Sequence, residues 1–324
     1  MKKIYIAFVL SLFIGGITAQ NEFALSEQLF SRLNINPSAT GNSENVNIFS
    51  TTRAQWIGLD DKSGPITTLL NAHWFISKIS SGLGATFYYD KIGLSTSTIN
   101  AKLAYAYQVD LSKSVLMSFG LSAGIINKRL DPTQHIIRSG NDDGLYELQN
   151  KLYFDMGFGF EIVHKYVLGG FSIQHLIGTW DPKKITSITI SPAYHAYVRG
   201  KFDLAPKWTL TPSFLFMNSA QLFNYELNAI VFYDKMFWGG LGYRFNSNIM
   251  TFTIGVEYEW FRVGYSYDLG VGKVYSLNNN THELMLSFNI PTKKLSAAEK
   301  KALEQEKKIA KKEKEAAKKA KKKK

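Results

Sequence analysis

Ser95-Thr-Ser-Thr-Ile-Asn-Ala-Lys-Leu-Ala-Tyr-Ala-Tyr-Gln108 is the stretch on which the reading of the fold turns. Ile99, Ala101, Leu103, Tyr105 and Tyr107 alternate with Thr98, Asn100, Lys102, Ala104, Ala106 and Gln108. Successive side chains of a strand point to opposite faces, so this is one extended strand with an apolar wall and a polar wall. It is longer than the usual globular strand and carries a lysine in its middle. Its apolar wall ends in two tyrosines, as strands do where lipid meets water. A strand of a soluble sandwich can alternate in the same way, so the decision rests on whether the chain repeats the pattern.

It repeats it almost without pause. Strands are expected at about Val46–Trp56, Ile66–Phe75, Gly82–Asp90, Leu94–Gln108, Val115–Asn127, Leu152–Val163, Tyr166–His175, Ile188–Asp203, Trp208–Met217, Leu222–Tyr233, Met236–Phe245, Ile249–Tyr258, Phe261–Asp268 and Thr281–Ile290. The first is the poorest match to the pattern. In the sixth, Leu152, Phe154, Met156, Phe158 and Phe160 oppose Tyr153, Asp155, Gly157, Gly159 and Glu161. Charges recur on the polar wall, at Arg53, Asp155, Glu161, Arg199, Glu226, Arg244, Glu257 and Arg262. A tightly packed soluble core pays heavily for unpaired charge, whereas a wet or plugged lumen accommodates it. Connection length is an independent signal. Numbered from the first strand, the even connections are all short, and every long one is odd. Outer-membrane barrels have short periplasmic turns and longer outside loops. The fold class expected is therefore all-β: a transmembrane antiparallel up-and-down barrel of about fourteen strands, with both chain ends in the periplasm.

Composition agrees. Of 324 residues, 14% are aromatic, a load that suits two interfacial girdles. There is no cysteine, which excludes disulfides and cysteine-held metal. The net charge of +12 suggests nucleic acid until it is located. Between Lys293 and Lys324 there are 15 Lys and 5 Glu, and Lys2 and Lys3 supply the rest, so the remainder is near neutral and no nucleic-acid groove is expected. Residues 1–20 read as a secretory signal peptide, with Lys2 and Lys3, the apolar run Ile4–Ile17 and small Ala19. Residues 21–45 lack alternation and are expected at the barrel mouth or as a plug. Within them Ala24–Leu33 is expected as a short helix, with Ser26 as cap and Leu25, Leu29 and Leu33 on one face. The barrel is assigned 46–291. The Lys-rich tail, 292–324, is either a basic helix with a narrow alanine-rich stripe or a disordered segment.

The chain also resembles a known family, the PorP/SprF outer-membrane barrels of the type IX secretion and gliding systems of the Bacteroidetes. The resemblance runs from about Leu29 to Phe288. It is carried by Asn36-Pro-Ser-Ala-Thr-Gly41, Arg53-Ala-Gln-Trp-Ile-Gly58 with Gly64-Pro-Ile-Thr-Thr68, Asp155-Met-Gly-Phe-Gly-Phe160 and Leu168-Gly-Gly-Phe-Ser-Ile-Gln-His-Leu176. Further on come His195 with Leu210-Thr-Pro-Ser213, Gly242-Tyr-Arg244, Gly264-Tyr-Ser-Tyr-Asp268 and His282-Glu283. Ser38 stands where the family usually has alanine, and the Lys-rich tail lies outside the core pattern. The resemblance implies a barrel similar to the FadL type, without enzymatic activity. It implies work in secretion or surface attachment of client proteins with a C-terminal sorting domain, in contact with periplasmic machinery and outer-membrane lipid. The alternative function is a passive porin or FadL-like solute transporter.

From these residues a candidate set for lumen ion pairing and family motifs is drawn: Arg53, Gln55, Trp56, Asp155, Arg244, Asp268 and Glu283. Arg53 is expected to pair with an inward carboxylate such as Asp268 or Glu257. Asp268, at a strand end beside an outside loop, either caps that loop or faces a client. Tyr146 and Trp180, in long outside loops, are the candidate client contacts. Asp142 and Asp143 lack the full calcium-loop pattern, and the six histidines show no ligand spacing. No phosphate loop, nucleophile elbow or catalytic carboxylate pair appears. No enzyme, cofactor or metal is expected.

Overall fold

A computed structural model describes residues 25–43, 45–57, 64–131, 149–177, 190–219, 222–272 and 281–292. The chain divides into Met1–Ile290 and Pro291–Lys324. The expected signal peptide lies outside the described residues, and so does the tail beyond 292. The strands are β1 (Val46–Ala54), β2 (Ile66–Ile76), β3 (Ser81–Ile92), β4 (Thr96–Ser112), β5 (Val115–Leu130), β6 (Gln149–His164), β7 (Val167–Gln174), β8 (Ala193–Gly200), β9 (Phe202–Ala205), β10 (Trp208–Ser219), β11 (Leu222–Tyr233), β12 (Phe237–Arg244), β13 (Ile249–Tyr258), β14 (Phe261–Gly270) and β15 (Thr281–Ile290).

Apart from β8 and β9, which both pair with β10, each strand pairs antiparallel with its sequence neighbours. β1 pairs with both β2 and β15, and β10 pairs with both β8 and β11, so the sheet closes on itself as a ring of fourteen strands, with β9 as an extra piece. Closure leaves no unpaired edge, the condition for crossing a bilayer with strands. The alternation decides which face meets lipid. On β4, Leu103 is 72% exposed, with Tyr105 and Tyr107 beside it, while Asn100, Ala104, Ala106 and Gln108 are buried. On β6, Phe154 is 78% exposed and Asp155 is buried. The apolar wall faces outward and the polar wall faces the lumen, the inverse of a water-soluble protein.

The expected eighth strand, Ile188–Asp203, is a single element in sequence but not in space. It is broken at Lys201 into β8 and β9, and 188–189 lie outside the described residues. Across the break the register against β10 is kept, with Arg199 opposite Ser213 and Phe202 opposite Leu210, and it shifts only beyond, between Thr209 and Trp208. That register sets Pro212 against the break. Proline has no N–H to give the ladder, while on the other side the Lys201 N–H continues the β7–β8 ladder, donating to the Tyr166 carbonyl at 2.8 Å.

Two further expectations are corrected. β1 ends at Ala54, so Trp56 is not a strand residue; it turns with φ +55 into the connection 55–65. The helix expected over Ala24–Leu33 does not form among its described residues. They make 3₁₀ turns at Gln28–Phe30 and Arg32–Asn34, and Ser26 caps neither. A third 3₁₀ turn spans Pro37–Ala39. The reason is lateral: this segment's backbone groups bond to the surrounding wall, which a regular helix would not allow.

A charged lumen around the N-terminal segment as candidate functional site

Residues 25–42 run inside the barrel. The amino end lies near the last residues of β1 and β14 and the first of β15, the end of the long connections. The carboxyl end lies at the short-turn end, from which β1 departs. At the short-turn end, Asn36 organises the contact. Its side-chain oxygen accepts from the Ser38 N–H at 2.9 Å and hydroxyl at 2.7 Å, capping the turn that Pro37 opens. Its amide donates to the Phe160 carbonyl at 3.1 Å and the Tyr197 hydroxyl at 3.0 Å. The Ser118 hydroxyl donates to the Ser38 carbonyl at 2.6 Å, Gln108 to the Gly41 carbonyl at 2.8 Å, and the Gly41 N–H to His73 Nδ1 at 3.0 Å. The segment comes so close to the wall that side chains must be missing there: a Cβ on Gly120 would overlap the Pro37–Ser38 backbone, and one on Gly159 the Asn36 side chain.

In the middle, Arg32 of the segment meets Glu161 of β6 as a two-pronged pair, 2.7 and 3.0 Å, both buried. Burial opposes the Arg32 charge, but the Glu161 carboxylate outweighs it, so the guanidinium's pKa is raised. The Tyr197 hydroxyl donates to the same carboxylate at 2.5 Å. Arg199 donates to the Leu29 carbonyl at 3.0 Å. Arg262, paired with Glu257 at 2.6 Å, lies over the Phe30 ring at 5.1 Å.

At the long-connection end stands the largest network. Arg53 donates to Asp268 at 2.6 Å, to the Ser26 hydroxyl at 2.9 Å and to Glu283 at 3.3 Å. Arg244 pairs with Glu226 at 2.9 Å and reaches Asp268 at 3.5 Å. Asp268 also accepts from the hydroxyls of Ser26 and Thr251, at 2.8 and 2.7 Å. Glu283 accepts the backbone N–H groups of Ser26 and Glu27, at 2.8 and 2.9 Å. Five strands thus hold the first residues of the segment through one chain of charge.

Four of the candidate residues, Arg53, Arg244, Asp268 and Glu283, are brought together here. Glu257, the other partner weighed for Arg53, sits directly across from Arg262 and pairs with it instead. Asp268 faces the lumen, not a loop. Asp155 belongs to a separate cluster, with His175 at 2.9 Å, Asn100 at 2.9 Å and Lys102 at 3.6 Å. Gln55 and Trp56 lie beyond β1, where the Gln55 N–H donates to the Pro65 carbonyl at 2.8 Å. Tyr146 and Trp180 lie outside the described residues. Sequence reasoning missed Glu27 and Arg32, which it placed on a helix; ionic residues between Leu25, Leu29 and Leu33 were the available sign that the segment lies among polar groups. Among the described residues, no group of three or more His, Cys, Asp or Glu is placed to hold a metal ion.

Buried ion pairs of this kind position and select; they are weak sources of net stability. What the arrangement does chemically is hold a short irregular segment at one depth in the barrel.

No curated protein matches the chain. Among solved structures, the toluene transporter TbuX of Ralstonia pickettii is similar over 86% of this chain and 97% of its own, with TM-score 0.49 and 8% identity. The toluene transporter TodX of P. putida covers the same shares, with TM-score 0.47 and 9% identity. The translocator domain of the autotransporter NalP from Neisseria meningitidis is similar over 82% and 96%, with TM-score 0.39 and 11% identity. Residues 17–288, which include every strand but the last two residues of β15, match the model of the type IX secretion system membrane protein PorP/SprF, and the chain belongs to that family.

Proposed function

We propose that this protein is an outer-membrane adaptor of type IX secretion: it engages a client's C-terminal sorting domain on the outside and secretion or gliding components in the periplasm. One observation supports this over a passive porin or FadL-like transporter. The lumen is occupied by residues 25–42, which are tied to opposite walls through Arg32–Glu161, Asn36–Tyr197 and Glu283. A barrel filled by its own chain is suited to presenting surfaces at its two ends.

In this reading the long connections face outward and carry the client contacts, Tyr146 and Trp180 among them. The short turns and residues 292–324 face the periplasm. The lysines of that tail are screened point charges, so its attachment to acidic partners or to the cell-wall layer weakens with salt. Deleting 292–324 tests the adaptor role. The expected result is an intact barrel with loss of co-purified periplasmic partners and of client display. Unchanged partners and display refute the role of the tail. A steady open-channel conductance from the purified barrel would favour the porin instead.

A further inference from the structure

We propose that the carboxyl group of Glu27 is a proton-operated latch, which protonated holds the outer end of the lumen segment against β13–β15 and deprotonated lets that end go.

The argument starts from where its two oxygens lie. Oε1 accepts from the hydroxyls of Thr253 on β13 and Ser266 on β14. Oε2 is buried and has no hydrogen-bond partner. The Glu27 backbone N–H is already committed to the Glu283 carboxylate on β15, at 2.9 Å. A second carboxylate thus stands beside the first where the segment docks.

The neighbouring cations are engaged elsewhere. Arg53 on β1 is divided between Asp268 on β14 and Glu283. Arg244 on β12 is held by Glu226 on β11 and Asp268. Arg262 on β14 is paired with Glu257 on β13 and covered by Phe30 and Trp238. An apolar cluster adjoins the site: Trp238 of β12 and Met285 of β15 border Gly264 together with Glu27 Oε1, and Leu25, Phe49 of β1 and Leu69 of β2 pack with them, with Tyr88 of β3 at the margin. Glu226, Asp268 and Glu283 already outnumber Arg53 and Arg244, so an ionised Glu27 would add uncompensated negative charge in a dry site.

The electrostatics point the same way. Burial first, and the Glu283 charge second, push the Glu27 carboxyl from 4.5 up to about 7. A folded-state value above the unfolded one means that docking takes up a proton. The stabilisation is complete below pH 4.5 and is lost as pH rises through about 7. A shift of this size weakens docking by up to about 300-fold on the alkaline side. The short-turn end is held by neutral Asn36, Gln108 and Ser118 and by His73, whose Nδ1 accepts the Gly41 N–H, and not by Glu27, so it does not share the response.

The chain has no cysteine, so Leu29→Cys puts a single thiol on the segment and Ser38→Cys a single thiol at its other end. The measurement is maleimide labelling of the full-length protein in detergent, divided at each pH by the rate of the denatured protein, with heat-modifiable migration as the check of folding. Labelling at position 29 is expected to rise at least about tenfold between pH 5.5 and 8.5, and at position 38 to stay flat. Adding Glu27→Gln is expected to keep position 29 slow at both pH values. Thr253→Val, which removes one donor to the ionised form, is expected to move the rise to higher pH, and it decides the matter should the glutamine variant not fold. No rise at position 29, an equal rise at position 38, a rise that survives Glu27→Gln, or one unmoved by Thr253→Val overturns the latch.

Discussion

Removing the guanidinium of Arg53 is the sharpest test of the lumen network. In Arg53→Ala, Asp268 and Glu283 lose a shared cation that is 3% exposed and lies 2.6 and 3.3 Å from them. Both carboxylates are buried where they stand. Asp268 retains the Ser26 and Thr251 hydroxyls and Arg244 at 3.5 Å. Glu283 retains two backbone N–H groups and the Thr51 hydroxyl. Breaking one member of a buried charge set costs about 3–5 kcal/mol, and the surviving donors place this case near the lower end. Guanidinium unfolding of the barrel reconstituted in vesicles, followed through its six tryptophans, reads the loss directly. The triple variant Arg53→Met, Asp268→Asn, Glu283→Gln is expected to recover most of it, because the cost lies in stranded charge and not in a missing attraction. A loss below about 1 kcal/mol for Arg53→Ala would mean a screened, solvated pair and would refute the picture of a dry network.

Two other substitutions probe the geometry. Leu103→Arg, at the middle of β4 on the outward wall, is expected to cost about 2–4 kcal/mol in vesicles; an unchanged unfolding midpoint would mean that this face meets water. Gly120→Ala is expected to cost about 1–3 kcal/mol, because its methyl overlaps the Pro37–Ser38 backbone, and to loosen that end of the segment in the same thiol-labelling assay; no effect on either would mean that the segment does not lie there.

Much of this protein was decided by local pattern. A side chain's face on a strand follows from residue parity alone, so the outward Leu103, Phe154 and Leu284 and the inward Asp155, Glu226 and Glu283 were legible before any pairing was known. The sorting of short and long connections was visible in the same way, and the antiparallel ring gathers them at opposite ends of the barrel. Arg53's choice among carboxylates was open, because Asp268 and Glu257 both face inward; the closed sheet decided it, by putting Arg262 directly opposite Glu257. The break at Lys201 depended on Pro212 of the next strand, which periodicity within one segment does not reveal. The lumen segment was the least legible. Its leucines suggested a helix, but its backbone groups bond to side chains of β2, β4, β5, β7, β8 and β15, Arg32 pairs with Glu161 of β6, and one oxygen of Glu27 accepts from β13 and β14. Partners more than a hundred residues away in the chain come within reach only when the ring closes, and it is their positions, not local propensity, that set the conformation of residues 25–42.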